Sequence, residues 1–145
     1  MPRSTVIPEL PYADVVAATK WLCDAFGFTL RIGMGNHRAQ LNVGDGAVVL
    51  TAQPTGNPDD ARGKVEASAP QPLDLACSVI VRVDDLERHY ERAKKFGARI
   101  VRPPADYPYG ERQYNAEDLA DHRWTFSQSI ANIDPKEWGG VTGQI

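Results

Sequence analysis

The residues of this 145-residue chain that could do chemistry are few and scattered. Its three histidines, His37, His89 and His122, show no HxH or HExxH spacing that would set two imidazoles on one face as metal ligands, so each reads as a surface or structural residue. Serine catalysis lacks its usual frame, because no GxSxG elbow is present. Cys23 and Cys77 sit in apolar-periodic segments without a CxxC pair and read as buried free thiols. The densest group is Tyr107, Tyr109, Arg112 and Tyr114. It joins flat aromatic surface to a guanidinium that can stack or hold a carboxylate at two points, which suits a planar or acidic small molecule. The plainer alternative is that Tyr109-Gly110 shapes a turn and Arg112 pairs with an acid such as Glu117.

The elements that must position these residues come from a repeat. Asp14 precedes Gly27 by thirteen residues, and Asp84 precedes Gly97 by the same interval. Each interval is amphipathic at helical spacing, through Val15, Thr19, Leu22 and Phe26 in the first and Leu86, Tyr90 and Ala93 in the second. Asp can accept the orphan N–H bonds of a first turn and Gly tolerates the left-handed backbone just past the last, so both helices have a start and a stop. Glu87, three residues after Asp84, adds a capping-box pattern, and Lys94 and Lys95 suit the negative end of the dipole.

A strand precedes each helix, at 5–10 and 75–83, the latter alternating Leu75, Cys77, Val79, Val81 and Val83 on one face. Three strands follow each: 28–32, 38–43 and 47–52 with a Gly44-Asp45-Gly46 turn, then 99–102, 112–116 and 122–128 turning at Asp118 to Asp121. The expected architecture is α+β: two paired βαβββ modules forming a cupped mixed sheet. One domain over 1–130 holds modules at about 4–53 and 74–130. The Pro- and Gly-rich stretch 54–73 is a linker, and 131–145 is a tail in which 134–138 makes a helical turn and Trp138 docks on the body or on a second subunit.

Apolar residues at 42% and charged residues at 24% are ordinary globular values. A net charge of −3 with no Lys/Arg run argues against nucleic acid as a partner. The longest apolar stretch, near Val79 to Val83, is far short of the roughly 20 residues of a spanning helix, and a secretory pattern is missing. The expectation is a cytoplasmic protein without membrane contact.

Asp14 through Ala25-Phe26-Gly27-Phe28, then Gly44-Asp45-Gly46, then Tyr109-Gly110-Glu111-Arg112-Gln113-Tyr114 leading to Asp118 and His122-Arg123-Trp124-Thr125-Phe126, form a set that resembles the vicinal oxygen chelate superfamily, in its glyoxalase or bleomycin-resistance-like branch. The likeness runs from about Val6 to Gln128. It departs at the last hairpin, where Asp118-Leu119-Ala120-Asp121-His122 replaces the branch's Asp-Pro-x-Gly-His; Asp tolerates left-handed geometry, so the turn can survive.

The resemblance implies a cupped sheet, a homodimer and, in the enzymes, a divalent ion held at four positions, which fall here at Ile7, Val49, Ser78 and Thr125. Two aliphatic side chains donate nothing to a cation, and a two-residue register error that exchanged Glu9 for Ile7 would still leave one carboxylate alone. No metal and no cofactor are therefore expected. Strand alternation about Thr125 puts Trp124 and Phe126 in the core and leaves Glu9, Thr51, Ser78, Arg123, Thr125 and Ser127 facing the cleft, with Gln40 and Asn42 beside them. The expected ligand-binding set is Glu9, Gln40, Thr51, Ser78, Tyr107, Tyr109, Arg112, Tyr114, Arg123 and Thr125. The leading expectation is a protein that binds a small, partly aromatic or acidic molecule for sequestration or resistance. The alternatives are a lyase or dioxygenase with displaced ligands or metal-free acid–base chemistry, and a structural or regulatory dimeric domain.

Overall fold

The computed structural model describes residues 4–53 and 77–140, so the expected linker at 54–73, Leu75 and the end of the tail lie outside the described residues. The first module runs β1 (Glu9–Tyr12), α1 (Val15–Phe26), β2 (Thr29–Met34), β3 (Arg38–Val43) and β4 (Gly46–Ala52). The second runs β5 (Ser78–Arg82), α2 (Leu86–Lys95), β6 (Arg99–Tyr107), β7 (Glu111–Glu117) and β8 (Arg123–Ser129). Each forms a four-stranded sheet of the same order, β1-β4-β3-β2 and β5-β8-β7-β6, with the first strand parallel to the last and the rest antiparallel. This is the expected pair of βαβββ modules.

Local chemistry explains the helices. Asp14 accepts the amide of Ala17, and Gly27 closes α1 at φ 78°. Val15, Ala18, Leu22, Ala25 and Phe26 make the buried stripe at three- and four-residue steps. In α2 the cap is Asp85, which accepts the amide of Arg88, rather than Asp84. The Asp84–Glu87 box therefore does not form, because moving the cap by one residue moves its partner position to Arg88.

Several boundaries differ from expectation. The first strand starts at Glu9 and extends through Pro11 to Tyr12. A proline is tolerated there because β1 pairs only with β4, leaving one edge that needs no donor. β6 continues past Pro103-Pro104 to Tyr107 by absorbing two register shifts. Asp121 takes φ 66°, so the last hairpin keeps its left-handed residue without glycine. Cys77 is exposed and Cys23 half-buried, which corrects the expectation of two buried thiols.

The helix-facing sides of both sheets meet in one core, where Leu22, Phe26 and Phe28 of the first module lie with Leu86, Tyr114, Trp124 and Phe126 of the second. Phe26 touches Trp124 and Phe126 at ring-centroid distances of 5.7 and 4.8 Å. Polar bonds reinforce the seam. The Tyr12 hydroxyl donates to the buried carboxylate of Asp118 at 2.6 Å, and His122 Nε2 donates to the carbonyl of Pro11 at 2.7 Å. The two modules thus pair within one chain. Among the described residues, no helix is long and apolar enough to cross a membrane.

Candidate functional site

Because the helices cover one side of each sheet, the side chains turned the other way form a second face, in which Val49, Thr125 and Ser127 are buried among their neighbours. In the first module the side chains of this face are Glu9, Arg38, Gln40, Asn42, Val49 and Thr51, with Glu9 and Gln40 flanking Val49 in register. Arg38 lies 3.9 Å from the Glu9 carboxylate. In the second module the cross-strand rows are Ser78–Arg123–Glu117, Ile80–Thr125–Asn115, Arg82–Ser127–Gln113 and Ser129–Glu111–Tyr107.

The second-module face is stitched by side-chain hydrogen bonds. Asn115 Nδ2 donates to Thr125 Oγ1, and Gln113 Nε2 donates to Ser127 Oγ at 3.0 Å. Ser127 Oγ in turn donates a hydrogen bond to Glu111 Oε1 at 2.7 Å, and the Tyr109 hydroxyl donates to Gln113 Oε1 at 3.3 Å. Each amide and hydroxyl keeps further donor or acceptor capacity. Glu111, Gln113 and Asn115 were not among the expected site residues. A symmetric count from the Asp118–Asp121 turn would not have found them, since it pairs 116 with 123 and 114 with 125; in the structure Asp118 pairs with His122, which moves 116 to 124 and 114 to 126 and puts 111, 113 and 115 opposite Ser129, Ser127 and Thr125.

The observed register corrects two expected residues. Tyr114 shares its face with Phe126 and is fully buried in the core. Its hydroxyl donates to His89 Nδ1 at 2.6 Å while His89 Nε2 donates to the Phe26 carbonyl at 2.9 Å. Burial, with Tyr90 adding to it, raises the Tyr114 phenol well above its ordinary value, so it stays protonated. Arg112 also turns toward the helices, where it binds Glu87 at 2.6 Å and Asp106 at 3.1 Å. The plainer reading of Arg112 as an ion-pair residue holds, with different acids; Glu117 goes to Arg99 at 3.4 Å.

Tyr107 and Tyr109 stack at 5.5 Å, and Trp138 meets Tyr109 edge-on at 5.8 Å, so the tail docks on the body as expected. A 3-10 turn at Pro135–Trp138 carries the indole. Gly110 makes the approach feasible: the amides of Ile130 and Ala131 both donate to its carbonyl, and a Cβ there would overlap the carbonyl oxygen of Ala131. A separate cavity of about 610 Å³ opens where Val6, Pro8 and the β3–β4 turn face β5. It has Ile80 and Arg82 in its wall but none of the tyrosines, so it adjoins the polar face at one edge only.

A divalent ion does not fit the corresponding strand positions. The observed register sets Glu9 opposite Val49 and Ile80 opposite Thr125, two residues on from Ile7 and Ser78. One carboxylate, engaged by Arg38, with one hydroxyl and two aliphatic side chains is too poor a donor set. Among the described residues no group of three His, Cys, Asp or Glu side chains converges to hold a metal.

A family profile described as glyoxalase/bleomycin resistance protein/dioxygenase superfamily matches residues 6–126. Comparison with curated proteins found no match. Among solved structures, TioX from Micromonospora sp. ML1 is 33% identical, with 88% of this chain and 99% of that chain covered and a TM-score of 0.66. A glyoxalase/bleomycin resistance protein/dioxygenase family enzyme from Burkholderia phytofirmans PsJN is 15% identical over 86% and 97% of the two chains, with a TM-score of 0.70. The fosfomycin resistance protein FosX from Mesorhizobium loti is 17% identical over 88% and 93%, with a TM-score of 0.60. The last two show a shared fold.

Proposed function

We propose, for a chain that belongs to the glyoxalase/bleomycin resistance protein/dioxygenase superfamily, a function of capture without turnover: the helix-free face of the second module binds a small, flat, hydrogen-bonding molecule. The observation that carries this reading is the connected set Tyr109–Gln113–Ser127–Glu111 beside Asn115–Thr125. These groups orient a ligand by directional bonds, and the stacked tyrosines at the edge supply a flat apolar contact. The metal positions offer no matching donor set for Lewis-acid chemistry. The reading includes a homodimer, for which exposed Leu30, Ile32 and Met34 on β2 are an available apolar surface; the mass in solution tests it.

The function is tested by a thermal-shift screen on protein purified without a metal-chelating tag, with elemental analysis alongside. Planar compounds bearing amide or phenol groups should raise the melting temperature, and less so in Gln113→Ala. Stoichiometric Zn, Ni, Mn or Fe, lost in Glu9→Gln, would overturn the reading, as would a broad library with no hit.

A further inference from the structure

The tyrosine edge has a charge beside it. Glu111 pairs in register with Tyr107 across the β6–β7 turn, on the same face, and its partly buried carboxylate accepts a hydrogen bond from Ser127 at 2.7 Å. Among the described residues it makes no ion pair. The guanidinium next to it in sequence, Arg112, is on the opposite face and is held by Glu87 and Asp106. Arg82 lies across Ser127 on β5, one row over, Arg102 lies opposite Asn115 on β6, and Lys136 and Glu137 precede Trp138 in the tail with opposite charges. Tyr109 senses the arrangement: its phenol is raised by desolvation, then by Tyr107 and by the Glu111 charge.

Three rings and an unneutralised carboxylate at one corner present two attractions of the same sign. The faces of Tyr and Trp rings carry negative potential that draws a cation, and a partly desolvated carboxylate draws it more strongly. An anion meets repulsion from both. We propose that the ligand captured by this face is an organic cation, a flat aromatic ring system bearing a quaternary or protonated nitrogen, seated against Tyr107, Tyr109 and Trp138 with its charge on Glu111. This rests on the capture reading above and names its substrate class.

The test is calorimetric titration of the full chain with three probes of nearly one shape: N-methylquinolinium, uncharged quinoline above neutral pH, and quinoline-2-carboxylate. The cation should bind about tenfold more tightly than quinoline, and that advantage should fall to about twofold or less in Glu111→Gln and shrink in Trp138→Leu, a surface change. If quinoline or the carboxylate binds as tightly as the cation, or if both variants leave the advantage intact, the cation inference is overturned while capture of flat molecules stands. If none of the three binds and the thermal-shift screen is also blank, the capture reading itself falls.

Discussion

Trp21 and Arg92 occupy the same place in their two helices, seven residues after the capping aspartates Asp14 and Asp85, and each hydrogen-bonds the C-terminal carbonyls of the other helix. Trp21 Nε1 donates to the Phe96 carbonyl at 2.9 Å; Arg92 donates to the carbonyls of Asp24 and Cys23 at 2.6 and 3.2 Å. The last carbonyls of a helix have no partner within it, so each module completes the other. The arginine also sets a positive charge at the negative end of α1, where the last turn has no basic residue of its own. Arg92→Met and Trp21→Phe should each cost about 1 kcal/mol. Urea unfolding measures it, and a double variant should lose about the sum if the two caps act independently.

His89 couples the modules to pH. Burial lowers its imidazole from 6.5 to about 4, the Arg92 charge pulling the same way against the bond from Nε2 to the Phe26 carbonyl. Because the folded value lies below the unfolded one, the unfolded chain binds the extra proton first as pH falls. Stability is therefore intact above pH 6.5 and declines from there to about 4, by up to about 3 kcal/mol. Denaturation across that range should show the slope, and His89→Gln should flatten it.

Asp118 is a buried carboxylate with four donors: the Tyr12 hydroxyl, Trp124 Nε1 and the amides of Ala120 and His122. Removing it strands all four. Asp118→Ala should cost about 3 kcal/mol, while Tyr12→Phe, which leaves three donors in place, should cost about 1 kcal/mol. Burial and then the adjacent Asp118 charge keep the Tyr12 phenol protonated far above its ordinary range, so this latch should not loosen in mild alkali. Chemical denaturation at neutral and mildly alkaline pH checks both statements.

Gly110 at φ 85° seats the tail. Gly110→Ala should cost about 1–2 kcal/mol from the left-handed backbone alone, and more from the overlap with Ala131. The distinctive outcome is that Trp138 leaves Tyr109, so tryptophan emission should shift to the red and flat ligands should bind more weakly. Wild-type emission with intact binding would show that the tail does not depend on this glycine.

The legible part of the chain was the part written in short intervals. The Asp14–Gly27 repeat, the helical stripes and the alternation of Val79, Val81 and Val83 marked the elements because caps, turns and periodicity act within a few residues. What the sequence left open was the direction of β7. Its run Glu-Arg-Gln-Tyr-Asn alternates polar with polar or amphipathic residues, so hydrophobicity does not say which side is inner. The tertiary structure decided it: Tyr114 finds His89 and the aromatic core, Arg112 finds Glu87, and both leave the open face to Glu111, Gln113 and Asn115. A tyrosine or an arginine satisfies either environment by itself, and only the partners brought from distant segments select one.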